Sequence, residues 1–207
     1  MPLPGFDQVT EHAQIARGDC LELLREIPAG SVDMVLTDLP YGTTSAPWDV
    51  RIDEFVLFRE FWRVDKGNAA VLLFGQFPFA CDLIMAARNK FRYKWVWKKG
   101  MKSAGFFHAN QMPLRNHEDV LVFYQALPVY NPQFDYKEPY DRRSDKLQFR
   151  GGSLYDKPSG DYGSCSLDGK RYPVDVLDFK HGQFLHPTQK PTELYAWLLQ
   201  QFAPMGG

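Results

Sequence analysis

A chain of 207 residues, 44% apolar and 24% charged, has the make-up of one folded domain with a sizeable core, which excludes a disordered or fibrous protein. Its net charge of -1 excludes a uniformly basic coat, so a polyanionic partner has to meet a local patch. Three well-separated cysteines, Cys20, Cys81 and Cys165, exclude a disulfide scaffold and point to reduced thiols in a cytoplasmic setting.

The opening stretch MPLPGFDQVTEH has no basic start followed by an apolar run, so no secretory leader is expected. GDCLELLREIPAGS predicts a short helix with Asp19 as N-cap, Glu22 three residues on, and Leu21, Leu24 and Ile27 on one face. VDMVLT is short, β-rich and bounded by turn residues, as a buried strand is. DEFVLFREFWRV predicts an amphipathic helix with Phe55, Phe58, Phe61 and Trp62 on its apolar side. NAAVLLFG reads as a second buried strand and FPFACDLIMAARNK as a helix with Pro78 in its first turn. Gly75, Gln76, Pro78 and Asp82 interrupt this apolar stretch, so a strand, a turn and a helix fit it better than a membrane span. FRYKWVWKK and EDVLVFYQ read as strands. From about Asn131 to Lys180, Gly, Ser, Asp, Tyr and Pro displace the apolar periodicity, as in a loop-rich insertion. The chain turns helical again after Pro191. Strands alternating with helices predict a doubly wound, mainly parallel α/β sheet, in which ligands bind outside the carboxyl ends of the strands.

The residues TDLPYGTTSAPWD follow VDMVLT directly, at one of those ends. One reading is a tight turn in which Asp38 caps backbone amides. The other is a pocket. The exocyclic amine of a nucleobase is a poor nucleophile because its lone pair is delocalised into the ring. Two acceptors aimed at its N–H groups, the Asp38 carboxylate and the Leu39 carbonyl, would favour a localised lone pair. Pro40 stiffens that turn, Tyr41 offers a ring for stacking, and Gly42 lets the backbone approach a ligand. No acidic residue lies between Leu83 and His117, while Arg88, Lys90, Arg92, Lys94, Lys98, Lys99, Lys102 and Arg115 do, interleaved with Tyr93, Trp95 and Trp97. Such a tract is either a solvated edge or a phosphate-binding patch. His108 and His117 lack a third ligand, so no metal site is expected.

DLPYGTT…WD resembles the Asp-Pro-Pro-Tyr motif of DNA amino-methyltransferases that use S-adenosylmethionine. HPTQKP, residues 186–191, resembles the motif that precedes the cofactor-binding strand in their permuted, beta-type class. GFFHANQMPLRNHEDVLVFYQ and RGDCLELL resemble further segments of its phage-like adenine-N6 members, in family order over nearly the whole chain. Leu39 departs from the usual proline, although the family uses only its main-chain carbonyl. The resemblance implies a Rossmann-like methyltransferase domain over 1–207, with a target-recognition insertion within 98–180. It implies methylation of adenine N6 in double-stranded DNA, with S-adenosylmethionine as cofactor, in a restriction-modification or prophage setting. Asp38, Leu39, Pro40 and Tyr41 would be catalytic. Asp19, Cys20, His186, Thr188 and Lys190 would lie along the cofactor, with helix capping an alternative for Asp19. Lys98, Lys102, Arg115 and His117 would contact DNA.

The family's next segment, a strand ending in a glycine-rich turn, has no counterpart before QQFAPMGG. The expectation is therefore a fragment, a decayed gene, or one half of an enzyme completed by a second polypeptide. Cytosine-N4 methylation and a non-catalytic DNA-binding remnant stand as alternatives.

Overall fold

A computed structural model describes residues 3–100, 103–141, 165–180, 186 and 188–203. In chain order it has strands β1 (Asp7–Thr10) and β2 (Ala13–Ile15), helix α1 (Cys20–Glu26), strand β3 (Val32–Thr37), helix α2 (Glu54–Val64), strand β4 (Asp65–Gly75), helix α3 (Phe79–Ala86), and strands β5 (Phe91–Lys98) and β6 (His117–Phe123). Four short strands follow, β7 (Asp135–Tyr136), β8 (Tyr140–Asp141), β9 (Cys165–Ser166) and β10 (Lys170–Arg171), and then strand β11 (Val176–Asp178) and helix α4 (Thr192–Phe202).

The chain divides into two compact units, Met1–Asn131 with Asp175–Gly207, and Pro132–Val174. The first holds a five-stranded sheet in the order β11-β5-β6-β4-β3. β3 pairs parallel with β4 and β11 pairs parallel with β5, while β6 runs antiparallel to both of its neighbours. Four strands of this sheet therefore point one way and β6 points back, so the mainly parallel sheet read from the sequence contains one reversed strand. In the second unit β7 pairs with β10 and β8 with β9, both antiparallel. There the Lys170 ammonium sits 3.7 Å from the centroid of the Phe134 ring. Part of the insertion, 142–164, lies outside the described residues. β11 falls inside the stretch read as loop-rich, because a strand of three residues leaves no periodic trace.

Alternating side chains of the central strands supply two cores. Val71, Leu73, Leu121 and Phe123 face α1, α2 and α3, where they meet Leu57, Phe58, Phe61, Ala80 and Leu83. Ala70, Leu72, Phe74, Val120 and Val122 face the other way, against Trp95, Trp97, Leu177 and the α4 residues Leu194, Leu198 and Phe202. α1 starts as expected, with Asp19 accepting from the amides of Leu21 and Glu22. Its last turn is held by Arg63 of α2, which donates to the carbonyls of Leu24 (2.5 Å) and Ile27 (2.9 Å). The buried face of α2 differs from the expectation. Leu57, Phe58, Phe61 and Val64 are buried, and Phe55 points to solvent. The reason is spacing: at 3.6 residues per turn, positions 57, 58, 61 and 64 share a stripe that excludes 55.

No helix among the described residues is long and apolar enough to cross a membrane. The run from Ala69 is instead the buried end of β4, leading through a turn into α3.

If α4 is integral to this core, Leu198→Ala should lower unfolding stability by about 2–5 kcal/mol, the usual cost of emptying a buried leucine site. The half-exposed neighbour Leu199→Ala should stay within about 0.5 kcal/mol. Chemical denaturation with an unchanged m-value would check both.

Candidate active site

Reversing β6 decides where the site lies. The carboxyl ends of β3, β4 and β5 meet the start of β6 at one edge of the sheet. Asp38, Gln76 and Lys99 leave the ends of β3, β4 and β5, and Glu118 enters near the start of β6. Together with Leu39, Pro40, Tyr41, Thr43, Thr44, Trp48, Asp49, Ala104, Arg115, Thr188 and Lys190 they line a cavity of about 460 Å³. That volume is in the usual range for small-ligand sites.

Lys190, only 7% exposed, lies at the centre of the polar network. Its Nζ donates to Asp38 Oδ2 at 2.6 Å and lies 3.2 Å from Glu118 Oε2. Glu118 Oε1 accepts from Gln76 Nε2 at 3.1 Å and from Lys99 Nζ. Two buried or half-buried cations thus meet two carboxylates, which is how charges are tolerated away from water. Asp38 Oδ1 accepts from the Tyr41 hydroxyl at 3.1 Å. Burial first, then the charge of Asp38, pushes the Tyr41 phenol well above its ordinary range, so it remains a neutral donor. Burial and the same two carboxylates push Tyr195 of α4 up to about 12.

The alternative in which Asp38 caps backbone amides is not what the structure shows, because another acid does that work. Asp49 accepts from the amides of Gly42 (2.8 Å), Thr43 (2.9 Å) and Thr44 (2.7 Å) and from the Thr44 hydroxyl (2.8 Å). The Thr44 hydroxyl and these amides hold the Asp49 carboxyl down to about 2. Gly42 has φ +65°, and a Cβ there would lie 2.6 Å from Arg51 Cγ. The close approach that requires glycine is therefore to Arg51, not to a ligand. The Tyr41 ring stacks on Phe79, with centroids 5.0 Å apart, while also lining the cavity.

The other residues expected at the site fall in several places. Thr188 and Lys190 are on the cavity wall, and His186 packs edge-on against Trp48 with ring centroids 5.8 Å apart. The Thr188 amide donates to His186 Nδ1 at 3.3 Å. Asp19 and Cys20 sit at the start of α1 and do not line the cavity; burial raises the Cys20 thiol pKa. Arg115 lines the cavity, Lys98 pairs with Asp178 at 3.2 Å, and His117 lies opposite Lys98 in the β5–β6 ladder. Lys102 is outside the described residues. The basic tract is less free than its composition implies: Lys94 pairs with Asp119 and Lys99 with Glu118, and Trp95 and Trp97 are core. No cluster of metal-ligating side chains occurs among the described residues. Glu118, Gln76 and Asp49 are not among the site residues expected from the sequence. The legible signal for Glu118 is two acids, Glu118 and Asp119, opening an otherwise apolar strand.

No protein-family model matches the chain. A curated relative, the type II methyltransferase M.BglII of Bacillus subtilis, is 27% identical over 212 residues, covering 87% of this chain and 54% of that protein. The chain thus spans about half the length of this relative. Among solved structures, the cytosine-N4-specific PvuII DNA methyltransferase superposes with a TM-score of 0.58 at 15% identity, covering 92% of this chain and 70% of that one. The M1.HpyAVI–SAM complex gives a TM-score of 0.50 at 16% identity, over 89% and 73%. TTHA0409 of Thermus thermophilus gives 0.52 at 17%, over 89% and 72%.

The Asp49 cap makes a pH prediction. Its folded pKa of about 2 lies below the ordinary 3.8, so its contribution to stability is complete above 3.8 and lost as pH falls toward 2. Melting temperatures followed across that window should drop more steeply for the wild type than for Asp49→Asn. Parallel curves would remove Asp49 as the anchor of the turn.

With the site placed at the carboxyl ends of a mixed sheet, and these superpositions covering most of the chain, the protein has the α/β Rossmann-like fold of the methyltransferases.

Proposed function

We propose that the chain carries the catalytic centre of a DNA methyltransferase that takes its methyl group from S-adenosylmethionine and delivers it to N6 of adenine. The observation that supports this reading best is the placement of Asp38, Leu39, Pro40 and Tyr41 on the wall of a 460 Å³ cavity at the end of β3. Asp38 is 26% exposed there. Each carboxylate oxygen has two acceptor sites, so with Tyr41 on Oδ1 and Lys190 on Oδ2 each keeps one for an incoming N–H.

In this mechanism the amine donates one N–H to Asp38 and the other to the Leu39 carbonyl. The nitrogen lone pair becomes localised and points away from both acceptors. Lys190 and Tyr41 fix the carboxylate plane, so no reorientation is needed as the nitrogen becomes positive. Asp38, a base on the cavity wall, then takes up the proton that the methylated nitrogen releases. Tyr41 provides one side of a slot for a flat ring, its own ring backed by Phe79.

Two features before and at the start of α4 support placing the amino-acid end of the cofactor there. α4 begins without a capping side chain, its intrahelical bonding starts at the Leu194 amide, and Thr188 stands on the cavity wall. Lys190 is already matched by two carboxylates, so the helix amides and Thr188, rather than Lys190, would hold the carboxylate of the cofactor. Bound there, S-adenosylmethionine supplies an electrophilic methyl group on a sulfonium sulfur. Arg115 on the cavity wall, with Lys98 and His117 beside it in the β5–β6 hairpin, gives DNA phosphates a place to bind.

Cytosine-N4 transfer is the second reading, supported by the fold shared with the PvuII enzyme. The amine chemistry is the same, and the product decides. After incubation with labelled cofactor and mixed-sequence DNA, nucleoside mass spectrometry should find N6-methyladenine. N4-methylcytosine would replace the adenine assignment, and an absence of methylated nucleoside would remove the catalytic reading.

Asp38→Ala should lower kcat by about 10²–10³-fold, the usual loss when a positioned electrostatic partner is removed. DNA affinity by fluorescence anisotropy should stay within about twofold, because phosphate contacts are untouched. Undiminished turnover would exclude Asp38 from the chemistry.

A further inference from the structure

The hairpin joining β5 to β6 ends in a tip that the chemistry above does not use. Its base is closed by paired backbone bonds between Ala104 and Arg115, with Ala104 N–H to Arg115 O at 2.7 Å and Arg115 N–H to Ala104 O at 3.0 Å. Both residues line the cavity, so the tip starts from the cavity wall. Gly105, at φ +95°, turns the chain into a single 3-10 turn, Phe106–His108, which is tied by His108 N–H to Gly105 O at 2.9 Å. Gln111 and Met112 then donate to the His108 carbonyl, so the tip has a fixed shape.

This shaped tip displays apolar side chains to water. Phe106, Met112 and Leu114 are exposed, and Phe107 is 101% exposed, as open as in an extended peptide. A full phenylalanine ring held in water has no stabilising role in the free protein. Along the sequence on either side of it there are only positive or neutral groups. Residues 99–116 contain Lys99, Lys102 and Arg115 and no carboxylate, and Arg115 makes no ion pair with a described residue. An exposed apolar ring on a hydrogen-bonded turn, in a segment whose formal charges are all positive, suits a ligand that is stacked inside and anionic outside. Duplex nucleic acid is such a ligand, and proteins that open a base step do so with apolar wedges of this kind. An anionic lipid surface shares the charge pattern. It gives no reason, however, for the tip to frame a cavity whose acceptors suit an amine.

We propose that Phe107 is a wedge that enters the base stack of duplex DNA and fills the gap left when a nucleotide turns out into the cavity. The proposal rests on the DNA reading given above and adds the residue that meets the cost of unstacking. Phe106 and Met112 flank it in the tip.

The test uses the full chain and two short duplexes of identical sequence, one intact and one with a single abasic position that mimics the vacated stack. Anisotropy titrations of the wild type should show about tenfold tighter binding to the abasic duplex, the worth of one aromatic stacking contact. Phe107→Ala should reduce that preference to within about twofold while intact-duplex affinity stays within about twofold, since phosphate contacts remain. Phe107→Trp should restore the preference, and Phe55→Ala, an exposed aromatic on α2, should leave it unchanged. Because the Phe107 ring is fully open to water, its removal does not put folding at risk. If intact duplex binds but the wild type shows no preference, or Phe107→Ala keeps it, the wedge is overturned and the DNA reading stands. If neither duplex binds, both are overturned. Phe107-dependent binding to anionic vesicles without an abasic preference also overturns the wedge and assigns the tip to a lipid surface.

Discussion

A buried ammonium has to be matched by charge, and the site is organised around that constraint. Lys190 and Asp38 are 152 positions apart, yet they meet at 2.6 Å because each resolves the other's cost of leaving water. Glu118 on the far side of Lys190, itself held by Lys99 and Gln76, prevents the lysine from swinging away. The residues before α4 are thereby fastened to the turn after β3. The packing of α4 against Phe74, Trp95 and Trp97 makes that fastening rigid. Core and site are two sides of one arrangement: the apolar face of α4 sets the height of Lys190, and Lys190 sets the plane of Asp38.

A division of labour among carboxylates follows. Asp49 holds backbone amides and keeps the loop shaped, Glu118 holds lysines, and Asp38 is left with acceptor capacity toward the cavity. A single acid asked to do all three would have its lone pairs consumed by the protein. Separating these duties is what allows a short turn to be stiff and still present acceptors to the cavity.

Much of this was legible in the sequence, for identifiable reasons. VDMVLT, NAAVLLFG and EDVLVFYQ are dense apolar runs of strand length, and α1 announces itself with Asp19 and a three-residue apolar face. The motif after β3 lies at a strand's carboxyl end, as alternating strands and helices require. The direction of β6 was not legible, because an apolar run looks the same read from either end. Asp49 and Glu118 escaped notice because their roles depend on partners brought close by folding: Asp49 needs the turn to curl back on itself, and Glu118 needs β6 to be reversed. The apolar stripe of α2 was misread at its start, since Phe55 is as hydrophobic as Phe58 and only the helical angle separates them. The tryptophans interleaved with the basic tract belong to the core, because alternation along β5 turns Trp95 and Trp97 inward.

The reversal of β6 has a consequence for how such a protein can diversify. A crossover between parallel strands must carry a helix back over the sheet, and changes in its length disturb the core. A hairpin between antiparallel neighbours carries nothing, so its tip can lengthen, shorten or exchange its side chains while the ladder beneath keeps its register. Here the base of that tip, Ala104 and Arg115, lines the same cavity as Asp38. Side chains on the tip can thus change while the buried strands beneath it keep their places.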